Sequence, residues 1–206
     1  MWLYLAIAAV VAYLLGNLNG AVVVSHMLHD EVRSHGSGNA GLTNFIRTYG
    51  ASRAPLVILI DAGKAVAGCL IGGLLLKSHI GYTAGAAIGG AGVILGHVFP
   101  AFLGFRGGKG ILSSLFVAIC VDWRIALIIL AVFAGIYFLT QYVSLGSVLA
   151  SLAFGVSFAL LHRNNPVVMG CGIFIAVLAI FMHRKNIQRL IKGEERRTNL
   201  FKKKGA

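Results

Sequence analysis

Charge is what this chain has least of. Lys, Arg, Asp and Glu together make up 12% of 206 residues, and only six of them are acidic. An ordinary soluble domain carries about twice that share of charge, so a water-soluble globular fold is excluded. Familiar catalytic signatures are also missing. Gly-x-Ser-x-Gly occurs nowhere, which removes the nucleophile elbow of the α/β-hydrolases. His-x4-Asp is absent; the nearest spacing, His26 to Glu31, ends in a different acid. No cluster of residues has metal-ligand spacing. The three cysteines, Cys69, Cys120 and Cys171, fall inside apolar segments without Cys or His neighbours, and read as packing residues. No Lys or Arg precedes Arg33, so the first apolar segment lacks a signal peptide's basic start and is expected to stay as a transmembrane helix. An enzyme with this inventory has to work by positioning and charge stabilisation, without a covalent intermediate or a cofactor.

What is present is hydrophobic length. Apolar residues make up 58% of the chain. They form windows at 2–28, 54–76, 80–101, 110–122, 124–140, 143–161 and 166–182. Runs of this size predict an all-α polytopic membrane protein of about seven transmembrane helices, with 110–122 short for a span. The 27 glycines, about twice the average share, suit close helix packing and anion-binding turns alike. The net charge of +12 would suit nucleic acid, but its placement does not. Nine of eighteen basic residues lie in the tail 183–206, beside the last apolar window. With the N-terminus outside, fourteen basic residues fall on inner connectors and the tail, and three on outer ones. The positive-inside rule therefore predicts N-out, C-in, with every polar motif on the cytoplasmic side. One membrane-embedded domain, 1–206, is expected, with Lys202, Lys203 and Lys204 meeting anionic lipid head groups.

Three polar stretches interrupt the apolar pattern. The first runs from Gly36 through Ser37, Gly38, Asn39, Ala40, Gly41, Leu42, Thr43 and Asn44 to Arg47. Its glycines let backbone N–H groups turn into one concavity, the hydroxyls and amides add neutral donors, and Arg47 adds a planar cationic fork. That is a cradle for phosphate or carboxylate; the plainer reading is a flexible linker. The second, Gly96 to Gly110, combines His97, Pro100, interfacial Phe102 and Phe105, and the turn Arg106-Gly107-Gly108-Lys109-Gly110. It is not a Walker A motif, since Leu103 stands where the first glycine belongs and Gly110 follows the lysine. Backbone donors and a lysine at a helix start still favour phosphate, against the alternative of an ordinary inner turn. His97 fits either a packed polar residue or a site residue. The third stretch, His183 to Glu195, puts His183, Asn186 and Leu190 on one helical face. It reads as an imidazole and an amide offered to the interface, or as a basic anchor helix. Glu194 and Glu195 suit pairing with nearby arginines.

Within the spans, Asp61 and Lys64 are three residues apart, which suits an ion pair or a direct contact with substrate. Asn17 and Asn19 suit interhelix hydrogen bonds, and the turn around Ser144 could give hydroxyls to the same pocket.

Taken together, the three stretches resemble the bacterial acyl-phosphate:glycerol-3-phosphate acyltransferases, the PlsY family. The family's motifs read approximately GSGN-x-G-x-TN-x-x-R, GH-x-x-P-x-FL-x-FKGGKG and HR-x-NI-x-RL-x-x-G-x-E-x-K. This chain carries them in order at 36–47, 96–110 and 183–197. The resemblance implies acyl transfer from acyl-phosphate to glycerol-3-phosphate, in the bacterial cytoplasmic membrane, by a monomer. It implies catalytic roles for Ser37, Arg47, Lys109, His183 and Asn186. Substrate contacts are implied for Gly36, Gly38, Asn39, Thr43, Asn44, His97, Gly107, Gly108 and Ser144, and a structural role for Glu195. Departures from the pattern are Arg106 for the first lysine of motif two, Ser113 for a threonine, Gln141 for an arginine, and Gly16-Asn17-Leu18-Asn19-Gly20 where a Ser-Ile-Pro bend is common. The competing class is a small transporter of a phosphorylated metabolite, which would bind nearer the midplane.

Overall fold

The computed structural model describes residues 1–198, and the regular structure among them is entirely helical. Lys202, Lys203 and Lys204 lie outside the described residues. Ten α-helices follow in order: α1 (Trp2–Gly16), α2 (Gly20–His26), α3 (Leu42–Tyr49), α4 (Ala54–Ile80), α5 (Tyr82–Val98), α6 (Ile111–Val121), α7 (Trp123–Thr140), α8 (Val143–Leu161), α9 (Pro166–Met182) and α10 (Arg184–Ile191). Local chemistry sets their limits. The Asn19 side chain caps α2, Asp122 caps α7, and Asn165 followed by Pro166 starts α9. Gly81, with φ of 85°, separates α4 from α5.

Each apolar window holds helix, but not each one a span. Four stretches are long and apolar enough to cross a bilayer alone. Two bent pairs, α1 with α2 (43°) and α9 with α10 (54°), raise the count to six. The seventh apolar helix, α6, is the short one that the sequence marked. Its 11 residues rise roughly 16 Å, against a hydrocarbon core of about 30 Å.

Many small residues face inward and many large ones outward, alongside buried large side chains such as Phe158 and Ile94. Ala65, Cys69, Ala86, Ala87 and Ala118 are buried, while Leu59, Leu74, Leu139 and Leu160 are at least 66% exposed on the outside of the bundle. Where lipid is as apolar as leucine, helices associate through close backbone packing instead. The α4–α5 contact shows this: Gly68 and Gly72 lie directly on Gly85 and Gly89, and a Cβ at Gly72 would run into the Gly85 carbonyl. All three cysteines are free thiols.

Gly72→Leu should therefore lower the thermal midpoint of the detergent-solubilised protein markedly, since overpacking costs about 1–3 kcal/mol or more. Leu74→Ala, on the outer face, should leave it close to wild type. Equal midpoints for the two variants would contradict the close α4–α5 contact.

Candidate functional site

The three polar stretches meet at one end of the bundle. In the first, Asn44 is the organiser. It is buried, its Oδ1 accepts from Ser37 N at 2.9 Å, and its Nδ2 donates to the Val32 and His35 carbonyls at 3.0 Å each. Gly36 and Gly38 turn through the left-handed region, with φ of 60° and 70°. A Cβ at Gly36 would strike Asn44 Oδ1. The Ser37 and Gly38 amides are thus turned inward, the latter onto the His35 carbonyl. Donors without a partner open α3: its N-cap, Gly41, supplies no side-chain bond, so the Leu42, Thr43 and Asn44 amides begin the helix uncapped. Asn39 lies against Gly41, Thr43 is half-buried, and Ser37 is exposed at the rim.

The second stretch folds back onto α5. Gly107 N donates to the Val98 carbonyl at 3.2 Å and Gly108 N to the His97 carbonyl at 3.1 Å. The glycine amides that the sequence offered as anion donors are therefore spent on α5. Their replacement is the start of α6, where Gly110 provides no side-chain cap and the Ile111 and Leu112 amides are open beside Lys109. Gly108 is wedged between the His97 ring and the Ala40 carbonyl, so the second stretch touches the first. His97 is buried beneath it, with Nδ1 2.7 Å from Lys64 Nζ. Asp61 and Lys64 form the ion pair, at 2.7 Å. Asn19 Nδ2 donates to the Ala40 carbonyl and Asn17 Oδ1 accepts from Phe102 N, so both asparagines fasten the break in the first span to the polar loops.

In the third stretch, Asn186 Oδ1 accepts from Lys109 Nζ. Its Nδ2 donates to Glu195 Oε1 at 2.9 Å. The same carboxylate accepts from Ser144 Oγ at 3.0 Å and from Arg189 Nε at 2.7 Å. Glu195 therefore joins α8, α10 and the Lys109 loop. Arg47, from α3, reaches the segment just beyond and donates to Thr198 Oγ1 at 3.2 Å. His183 Nδ1 donates to the Ala179 carbonyl at 2.8 Å. A carbonyl can only accept, so in the neutral ring Nδ1 carries the proton and Nε2 keeps a lone pair.

Electrostatically the site is short of negative charge. Neither Arg47 nor Lys109 makes a salt bridge among the described residues. Burial is the largest influence on both and pushes each below its ordinary value. For Lys109 the result is about 8, Glu195 pulling upward while Arg189 and Arg47 add to the depression. For Arg47 the neighbouring Arg196 adds to the effect of burial. Burial also pushes Glu195 up, but the bonds from Asn186, Arg189 and Ser144 outweigh it and hold the carboxyl below its usual range.

The sequence-predicted residues thus divide. Lys109, Ser144 and Asn186 are linked directly or through Glu195, Arg47 bonds Thr198 three residues further along the same segment, and His183 sits at the head of α10. Gly36, Gly38, Asn44, Gly107, Gly108 and His97 shape or support the loops. The expected pairing of Glu195 with a nearby arginine is the bond to Arg189; sequence reasoning missed Thr198 as a participant, and gave Glu195 less than its place at the centre. The signal for Glu195 was available: it was the only acidic residue besides Glu194 in a stretch full of cations.

Comparison with known proteins bears on this arrangement. A family model described as glycerol-3-phosphate acyltransferase matches residues 6–193. Proteins named glycerol-3-phosphate acyltransferase from Thermoanaerobacter sp. (strain X514) and Clostridioides difficile (strain 630) are 39% and 38% identical. The matches cover 94% and 93% of this chain and 95% and 94% of those proteins. Crystal structures of PlsY (YgiH), an integral membrane glycerol 3-phosphate acyltransferase, superpose with TM-scores of 0.86 for the glycerol 3-phosphate form and 0.81 for the lysophosphatidic acid form. Both are 33% identical, over 96% and 95% of this chain and 99% and 96% of theirs.

The Lys109 side chain is an ammonium below about pH 8 and progressively ceases to be one above it, so a phosphate held there would lose its charge partner as pH rises. Affinity for inorganic phosphate, read by calorimetry in detergent, should therefore fall as pH rises through about 8. Lys109→Arg should remove that fall, because the guanidinium stays charged. A wild-type affinity flat from pH 7 to 10 would contradict the assignment.

Proposed function

Because the chain belongs to the glycerol-3-phosphate acyltransferase family, we propose that it transfers a long-chain acyl group from acyl-phosphate to the sn-1 hydroxyl of glycerol-3-phosphate. The observation that carries this reading is the pair of half-buried cations, Arg47 and Lys109, set beside uncapped helix starts and without carboxylate partners. Two phosphorylated substrates bring several negative charges, and such a site offsets their repulsion. The glycerol 3-phosphate and lysophosphatidic acid forms of the PlsY structures support the acceptor and the product.

In the reaction, the acceptor hydroxyl oxygen attacks the acyl carbonyl carbon. The bond from that carbon to the phosphate oxygen breaks, and phosphate leaves with the electron pair. An acyl-phosphate is already activated, so no enzyme nucleophile is required. Arg47 holds the glycerol-3-phosphate phosphate. Lys109, fixed by Asn186, stabilises charge on the departing phosphate. Ser37 and Thr43, with the α3 amides, and Ser144 add neutral donors. His183 Nε2 accepts the hydrogen bond of the attacking hydroxyl and orients it, and a phosphate oxygen takes the proton finally. The acyl chain lies among the spans. The charge asymmetry of the connectors supports an N-out, C-in topology, with the site on the cytoplasmic side of the bacterial inner membrane. The whole chain acts as one domain and as a monomer.

Purified protein given palmitoyl-phosphate should release inorganic phosphate only when glycerol-3-phosphate is present, with lysophosphatidate formed in equal amount. Activity on acyl-CoA alone would overturn the donor. Lys109→Ala should reduce turnover by about a hundredfold or more, the scale of losing one charge-stabilising donor. His183→Ala with nearly full turnover would remove His183 from the mechanism.

A further inference from the structure

The buried cluster beneath the glycine loop has more organisation than an ion pair needs. Lys64 Nζ lies 2.7 Å from Asp61 Oδ1, 2.6 Å from the Leu18 carbonyl oxygen and 2.7 Å from His97 Nδ1. An ammonium has three N–H donors and no acceptor. Three protons meet three acceptors, so His97 Nδ1 must present its lone pair. A proton on Nδ1 would point at an ammonium. The neutral ring therefore carries its hydrogen on Nε2.

The third acceptor exists because the first span is broken. Between α1 and α2 the chain bends by 43°, and the Leu18 carbonyl is freed there to face α4. Asp61 is held in turn by Gly20 N, which donates to Oδ1 at 3.1 Å from the other side of the break. Asp61 and Lys64 are the ionisable groups bonded to or within 4 Å of the ring, its Nδ1 lying 3.7 Å from Asp61 Oδ1.

Nε2 is the unusual atom. The residue is 4% exposed, yet Nε2 makes no hydrogen bond among the described residues and is not sealed from solvent. It sits directly under Gly108, where any side chain would strike it, one residue before Lys109.

We propose that Asp61 and Lys64 are positioning residues that lock His97 as an Nε2–H donor to a substrate phosphate oxygen at the glycine loop. This rests on the acyl-transfer reading above and adds to it an obligate neutral donor and the buried pair that fixes it. A phosphate oxygen needs a donor, and a histidine free to switch tautomer would present a lone pair to an anion for part of the time. The lock removes that state. Gly108 is then glycine because the donor must reach past the loop.

The test is ¹⁵N NMR on histidine-labelled full-length protein in nanodiscs, with His97 assigned by the loss of its signals in His97→Asn. In the wild type, Nδ1 should be unprotonated and Nε2 protonated, unchanged from pH 6 to 9. Glycerol-3-phosphate alone, or a non-hydrolysable acyl phosphonate alone, should shift Nε2 and so identify which phosphate it holds. Lys64→Met should release the ring to titrate and raise the KM of that substrate about ten- to a hundredfold, the scale of one hydrogen bond to a charged group, with a smaller change in kcat. A purely structural role would reduce the active fraction, hence kcat, and leave KM alone. If Lys64→Met does not fold, the Asp61→Leu, Lys64→Met pair replaces the ion pair with apolar volume and leaves no unpaired charge. A wild-type ring protonated on Nδ1, or titrating, overturns the proposal, as does an Nε2 that responds to neither ligand. If such a sample still turns over palmitoyl-phosphate and glycerol-3-phosphate, only this inference fails. A folded sample inactive with every donor overturns the acyl-transfer reading, and this one with it.

Discussion

An excess of positive charge, held where water cannot fully relieve it, is the constraint on which this structure depends. Arg47 and Lys109 come from elements 62 residues apart in the chain, yet both act on one small volume shared with Arg189 and Arg196. One carboxylate, Glu195, stands against them. It is fully engaged by Asn186, Ser144 and Arg189, so it orders the cations without neutralising them. The protein is left with an electrostatic deficit that an anionic substrate relieves, and relief of that kind favours the bound state.

The bundle supplies the rigidity that such a deficit demands. Like charges would separate if the elements bearing them could move. The glycine contact between α4 and α5 fixes two helices at backbone distance, and Gly16 on α1 meets Gly96 on α5 in the same way. The loop bearing Lys109 is pinned to the end of α5 by two backbone bonds, and the loop before Arg47 is wound around Asn44. Each polar loop thus hangs from a packed helix. The geometry brings the three polar stretches to one place, and the packing explains how they stay there.

Much of this was legible in the sequence, and the parts that were not share one cause. Helix positions followed from apolar windows, since hydrophobic length is a local signal. The motif stretches stood out because glycine, asparagine and cations are rare in apolar surroundings. Contacts set by tertiary geometry were hidden. Nothing in the spacing of Lys64 and His97, 33 residues apart, says that one nitrogen faces the other. Nor could the sequence show that Gly107 and Gly108 donate to α5 while the open amides belong to α3 and α6. The bond from Arg47 to Thr198 closes a separation of 151 residues. At α6 both signals stood in the sequence, an apolar composition and a length of 11 residues that is short for a crossing.

The shortness of α6 has a consequence for the depth at which a charge can sit. Trp123 and Arg124, just past its far end, are side chains that settle among lipid head groups. A helix about half the thickness of the hydrocarbon layer cannot reach both of its surfaces. The end of α6 away from Trp123 is Gly110, with Lys109 beside it. A short helix among long ones leaves depth unfilled at one end of the bundle, and the residue that borders that depth is a cation.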